Sequence, residues 1–517
     1  MKNVFRVFIF SILIAALSVG CQSNETNNLP ETLLGMTSNV KQNEEVTLTF
    51  WINSTYHKIR TNAVLDEIRK RLKDKLNIRL DLHYVYSYET QGYNNDLQQK
   101  IASGTSFEAF VYTDDQYRFL MRGNDMPIRE SSLYLDALVR KGLSMDLSDL
   151  FPKYAPNLLG KYPKEVLKSV TIDGKLAAIP ALFPRSQRCC AIVRKDLMDK
   201  YNIPPISSIR DYESYLKIIR EKEPDLIPIF MFDAFEKDLI SESGGYFSLD
   251  YYSDLIYRQE DSSMKLQFYQ DVPEYKEIKK LEDTWFRNGY FENSKGQKFK
   301  TRGDGATVIF DTGSAMPASI LGFPIMGNLT WTSSKSSFPF RWDTDKELIA
   351  YPLFPDSKVQ KVLPSNQAIV IPSTAKHPEK TLQFLEWLQS SQENYDLFMY
   401  GIQGEDYTLY DKQYVLPEKY KNTGSDYIGW PGCMNFWNPD FMRTPVNCSI
   451  KSKENYKQNL ELNTAYPPHM GFYPDYNPIV KELSTKYSGK ESTPEEKEKI
   501  ISEMQKQLES WLKKSGS

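Results

Sequence analysis

Residues 44–54, EEVTLTFWINS, alternate apolar and polar positions. Val46, Leu48, Phe50 and Ile52 fall on one face, and Thr47, Thr49 and Trp51 on the other, which is the period of a half-buried strand. The next stretch, TNAVLDEIRKRLKDKLNI, brings Val64, Leu65, Ile68, Leu72 and Leu76 to helical spacing. IRLDLHYVYS predicts a second strand. NNDLQQKIASG predicts a second helix with Gly104 at its C-cap, and EAFVYTDD a third strand. The order β-α-β-α-β predicts an α/β layer with parallel strands.

The middle of the chain is mixed. DGKLAAIPALF reads as a turn and a strand interrupted at Pro180, and CAIVRKDLMDKYNIPP as a strand followed by a short helix. SIRDYESYLKIIREKEPD predicts a helix with Tyr212, Tyr215 and Leu216 on one face. GATVIFDTGSAMPASIL reads as strand, turn and helix, and ELIAYPLFP as a strand ending in prolines. NQAIVIPSTAKHPEKTLQFLEWLQS reads as a strand, a loop and an amphipathic helix. The C-terminal helix starts at Thr493, its N-cap, with Pro494 in the first turn.

The first 20 residues are of another kind. Lys2 and Arg6 precede 14 uncharged residues, 7–20, a secretory h-region shorter than the ~20 residues of a spanning helix. Gly20, then Cys21, then a polar stretch resemble a bacterial lipoprotein processing site. Leu17 stands four before the cysteine and Ser18 takes the usual leucine position. The resemblance implies a signal peptide over 1–20 and a lipidated Cys21 at the head of a flexible tether, 21–45.

Bulk chemistry narrows the function. A net charge of −3 with 25% charged residues implies no nucleic-acid partner. The four histidines, His57, His83, His377 and His469, pair with no cysteine at zinc spacing. Cys189 and Cys190 are adjacent, a pairing that strain disfavours; Cys433 and Cys448 are close enough in sequence to be joined in an exported protein. No motif of a hydrolase, P-loop enzyme, dinucleotide-binding enzyme or calcium loop is present, so the expectation is a protein without catalysis, cofactor or metal. The 33 Tyr, 27 Phe and 8 Trp exceed what the other patterns explain, and point to flat apolar faces serving a surface as well as a core.

DLQQKIASG, DGKLAAIPALF, VRKDLMDKYNIPPISSIRDYESYLK, AYPLFP, AIVIPSTAKHPEKTLQFLEWL and YGIQGEDYTLYD together resemble family-1 extracellular solute-binding lipoproteins of ABC importers. These are maltodextrin-binding-like, in their large Gram-positive branch. The resemblance covers nearly all of the mature chain. It implies a two-lobed α/β fold of the type II periplasmic-binding kind with a ligand cleft. It also implies capture of a carbohydrate, an oligosaccharide above all, for permease subunits in the membrane, by a monomeric, lipid-anchored protein facing outside. Crossovers placed at Pro180, Pro352 and Pro355 give lobe 1 as 46–179 plus 356–400 and lobe 2 as 180–355 plus 401–517.

Candidate ligand contacts follow from strand ends. Trp51 and Asn53 end the first strand, unless a helix covers that face and buries the indole. Asp114 and Asp115 end the third strand, or form an ordinary turn and cap. Arg188 lies past the first crossover, facing the cleft or solvent. Asp311 ends a lobe-2 strand, but Thr312, Gly313 and Ser314 stand where the family often has an aromatic. In YIGWPGCMNFWNPDFM, Trp430 and Trp437 form either a stacking floor for pyranose rings or a local core. Trp387 and Trp511 lie on amphipathic helices and read as core. The rivals are a binder of a peptide or other polar solute, a polysaccharide-acting surface enzyme with two facing carboxylates, and a structural or adhesive lipoprotein without a deep cleft.

Overall fold

The structure is a computed structural model. It describes residues 44–53, 59–85, 90–113, 135–182, 185–229, 236–249, 254–296, 308–309, 315–321, 340–341, 348–362, 367–420, 427, 434–438, 440–443, 446, 462–475 and 493–515. The proposed signal and lipidation segment, Asp114, Asp115, Asp311, Trp430, Cys433 and Cys448 lie outside these.

The elements used below, in chain order, begin with β1 (Val46–Asn53), α1 (Thr61–Leu72), β2 (Ile78–Val85), α2 (Thr90–Ala102) and β3 (Ala109–Thr113). Then come α3 (Lys164–Ser169), β4 (Ile179–Pro180), β5 (Arg185–Arg194), α4 (Lys195–Tyr201), α5 (Ile209–Lys222) and α6 (Glu236–Gly244). The last are β6 (Ala315–Leu321), β7 (Leu348–Pro352), β8 (Val359–Val362), β9 (Gln367–Val370), α7 (Pro378–Leu388), α8 (Gln392–Tyr400), β10 (Thr464–Ala465) and α9 (Pro494–Ser515).

The first five confirm the periodicity. β1 pairs with β2 and with β3 in parallel. Leu48, Phe50 and Ile52 are buried while Thr47 is exposed, as period 2 requires. Gly104 takes φ +67 just past α2, where Thr105 N donates to Lys100 O at 3.0 Å. That left-handed turn is cheap only for residues such as glycine. The C-terminal helix has the N-cap expected at Thr493, and α5 has one that the sequence reading did not name. Ser208 accepts from Asp211 N at the start of α5. At α9, Glu496 N donates to Thr493 Oγ1 while Thr493 N donates to the Glu496 carboxylate, a capping box.

The sheet order was not readable locally. The first sheet runs β2-β1-β3-β9-β4, with β9 inserted antiparallel between β3 and β4. The second is built on the ten-residue β5. β6 lies along one side, and β7 and then β8 share the other, with β10 beyond β8. This is the mixed helix-and-sheet, two-domain architecture of a type II periplasmic-binding fold.

Three sequence expectations are corrected. SAMPASIL was expected to be helical and is the edge strand β6, whose seven residues pair with 187–193 of β5. The long partner overrides weak local preference, and an edge strand accepts Pro317. The return crossover is not at Pro352 or Pro355: β7 and β8 both pair with β5, and the chain changes sheet between Val362 and Gln367. Finally, 401–443 was assigned to lobe 2, yet Tyr407, Tyr414, Tyr427, Phe436 and Trp437 are buried in one core with Phe50, Phe110, Ile369 and Phe398 of the first body. A second core gathers Tyr212, Tyr215, Ile219 and Trp285. A third joins Phe247, Tyr257 and Phe268 to Phe472, Met504 and Leu508.

Candidate functional site

One edge of the first sheet collects the features a ligand site needs. β1, β2 and β3 are parallel, so Asn53, Val85 and Thr113 end at the same edge. β9 is antiparallel, so its first residue, Gln367, sits opposite Thr113 there. β4 runs back alongside β9 and delivers Pro180 to the same edge. Among the described residues the chain therefore leaves the first sheet after Pro180, and comes back to it at Gln367, at the carboxyl edge of the parallel strands. That is where open α/β sheets bind ligands.

Cross-sheet rows can be read from the register. Val85 pairs with Asn53, Tyr112 with Ala368 and Ala368 with Pro180. Continuing the pairing of Trp51 with Phe110 by two residues brings Asn53 level with Tyr112. Asn435 lies over this row: its Nδ2 donates to Tyr112 O at 3.2 Å and to Ala368 O at 2.8 Å. Asn435 thus bolts part of the aromatic loop that looked isolated in sequence to the carboxyl edge of the first sheet. Gln389 strengthens the attachment, donating to Phe436 O and accepting from Asn438 Nδ2 at 3.0 Å. Tyr427 donates to Phe398 O at 2.5 Å.

The expected contacts fare differently. Asn53 is at the edge. Trp51, two residues deeper on the same face, is 6% exposed; its ring lies 4.1 Å from that of His83, its neighbour on β2, and 5.8 Å from that of Phe107. The covered alternative for this indole is the one the packing favours, with His83 and Phe107 among the side chains that cover it. Trp437 is 2% exposed within the first core, the local-core alternative for that residue. Trp387 and Trp511 are half-buried, Trp387 against the first core and Trp511 against the third.

Arg188 faces neither cleft nor solvent. It is fully buried. Its Nη1 donates to Phe354 O at 3.0 Å, and its Nη2 to Ser357 O at 3.2 Å and Leu462 O at 2.5 Å. The Glu242 carboxylate on α6 is 3.8 Å away and accepts from Cys189 N. Burial pushes the Glu242 carboxyl up to about 8, against the pull of the Cys189 N–H and the Arg188 guanidinium. Cys189 and Cys190 are unbonded and buried, and burial holds both thiols well above their ordinary range. This group ties the interior of the second body together.

The YGIQGEDYT motif, singled out by resemblance, has a structural cause. Gly401 takes φ +94, and a Cβ there would lie 2.6 Å from Asp406 Oδ2. That oxygen accepts from Ile402 N at 2.8 Å, and Asp406 Oδ1 accepts from Arg60 Nε at 2.9 Å. Arg60 is the residue before α1. The fully buried Asp406 therefore fixes where α1 begins, behind the end of β1. Sequence reasoning missed this role; two glycines just before a pair of acidic residues, Glu405 and Asp406, were its signal.

Among the described residues no group of histidine, cysteine and acidic side chains could hold a metal ion, and no helix is long and apolar enough to cross a membrane.

No family model matches the chain. A curated carbohydrate ABC transporter substrate-binding protein of Streptococcus pneumoniae serotype 4 is 23% identical over 412 residues, 72% of this chain and 77% of that protein. An N-glycan transport solute binding protein from Streptococcus pneumoniae superposes with a TM-score of 0.63 at 19% identity, covering 91% of this chain and 99% of the other. The structure of that protein in complex with Man5GlcNAc gives 0.53 at 19% identity, over 91% and 99%. An extracellular solute-binding protein from Bifidobacterium longum subsp. infantis gives 0.54 at 15% identity, over 90% and 95%. The curated relative and these neighbours are solute-binding proteins, consistent with the family that the sequence resembles.

Proposed function

We propose that this chain is the solute-binding component of an ABC importer, which captures an extracellular oligosaccharide and delivers it to permease subunits. The observation that carries the reading is the curated relative, a carbohydrate transporter substrate-binding protein aligned over 72% of the chain. The geometry supports it: a ligand at the carboxyl edge of the first sheet lies beside both crossovers and within reach of both bodies. A ligand that touches both bodies favours their closed arrangement by its differential affinity, and the closed form is the one presented to the permease. Binding, not hydrolysis, is the proposed activity, in keeping with the relatives. In the same reading the chain is a monomer, and acyl chains on Cys21 anchor it to the outer face of the cell membrane.

Ligand class is tested by thermal unfolding of the full chain with Man5GlcNAc, maltooligosaccharides and short peptides. A ligand at a hundredfold its Kd adds about 2.7 kcal/mol to stability, so a saccharide should raise Tm and peptides should not. A rise with peptides alone, or release of sugar from an oligosaccharide, overturns the assignment. The anchor is tested by Cys21→Ala, which should leave the membrane fraction or accumulate unprocessed; processed variant retained in full at the membrane would contradict it.

A further inference from the structure

Residues 462–475 serve both bodies at once. Toward the second body, Leu462 O accepts from Arg188 and Asn463 O accepts from Val359 N at 2.9 Å. β10 extends β8, and His469 Nδ1 meets the Tyr257 hydroxyl at 2.6 Å. Phe472 enters the third core. The very next residue turns the other way: Tyr473 packs against the first core and its hydroxyl donates to Ser169 O, at the end of α3, at 2.5 Å.

Gly471 makes the close approach possible. It takes φ +88, and a Cβ there would stand 2.9 Å from Lys168 O, so backbone meets backbone with no room for a side chain. Lys168 also reaches across: its Nζ lies 5.6 Å from the centre of the Trp511 ring on α9. α3 of the first body is thus seated on Gly471, Tyr473 and Trp511, and the chain continues from α3 to β4 and the first crossover.

Domain closure is a rotation about places that move little. A seat made of a short hydrogen bond and a glycine at van der Waals limit tolerates small rotations and is lost on translations of about 1 Å. It therefore lies on the rotation axis or must break when the bodies move. In both cases its strength enters the balance between open and closed forms. We infer that the seat of α3 on Gly471 and Tyr473 is a hinge element, in addition to the sheet-to-sheet crossovers after Pro180 and before Gln367, which tunes ligand affinity without touching ligand. The inference rests on the capture-by-closure reading given above.

The test uses the full chain carrying Tyr473→Phe, which removes one hydroxyl, and Gly471→Ala, which wedges the seat apart. Ligand-free small-angle scattering reads the balance of forms, and calorimetry with Man5GlcNAc reads its consequence. A variant that changes the closure-competent fraction changes apparent Kd by the same factor. The expected result is a displaced ligand-free scattering curve and a change of about threefold or more in Kd. Wild-type Kd with a superimposable curve in Tyr473→Phe overturns the inference, even if Tm falls, because a purely structural contact would lower only Tm. If the unmodified chain does not bind Man5GlcNAc, that glycan assignment fails, and the ligand-free scattering alone decides the hinge. If Gly471→Ala does not fold, Tyr473→Phe decides by both readouts.

Discussion

Arg188→Ala should lower the unfolding free energy by about 3–5 kcal/mol, a loss seen as a large fall in denaturant midpoint. Two losses add. The guanidinium is fully buried, so truncation leaves a cavity that surrounding strands cannot fill. It also takes the donor from the part-buried carbonyls of Phe354, Ser357 and Leu462, a loss that water offsets only in part. These carbonyls belong to the turn between β7 and β8 and to the segment entering β10, so their loss loosens the side of the second sheet that β7, β8 and β10 form. Arg188→Met separates the causes: it restores volume but no donors, and should recover part of the loss. If Arg188→Ala unfolds like the unmodified chain while ligand affinity falls, the side chain serves the ligand and the structural account is wrong.

Arg188 also marks where sequence reading stops. A cation after a crossover suggests an exposed or ligand-facing role by average behaviour. Only the arrival of Leu462, from 274 residues downstream, reveals that it is enclosed. The same limit governs the sheets. The β1-α1-β2-α2-β3 unit was legible because each element repeats with its own period and pairs with near neighbours. The place of β9 between β3 and β4 was not, since nothing local to Ala368 and Ile369 states which strands they will meet.

Prolines were a partial guide to the crossovers. Pro180 does end a strand at a crossover, because the chain leaves the ladder there. Pro352 instead ends β7 beside Cys190, and the later return falls between Val362 and Gln367, where Pro364, a proline the sequence reading passed over, stands. At the candidate site, strand ends were placed from period and turn chemistry, which is why Asn53 falls at the edge. The fate of Trp51 depended on register: His83 and Phe107 cover it, while Thr47, on the same face of the same strand, stays exposed. Period 2 tells which face a residue shares, not how its neighbours fill that face.

Trp437→Ala should cost about 3–5 kcal/mol of stability, the usual price of removing a large aromatic from a close-packed interior. Its 2% exposure leaves no ring face open to a sugar in this arrangement. Its neighbours are held independently, Asn435 by Tyr112 O and Ala368 O, and Asn438 by Gln389 and the Tyr395 hydroxyl. The loop therefore cannot simply collapse into the vacated space, and most of the cavity persists. The effect on ligand would be indirect: Asn435 holds Tyr112 O and Ala368 O at the proposed ligand edge, so a shifted loop would disturb the ends of β3 and β9. The measurement is paired, unfolding free energy and saccharide affinity of the folded fraction, with Trp51→Ala beside it. Both variants should lose stability and retain affinity within a few-fold. A Trp437→Ala protein as stable as the unmodified chain but binding more than tenfold more weakly, a difference of about 1.4 kcal/mol, would return the indole to the ligand as a stacking surface.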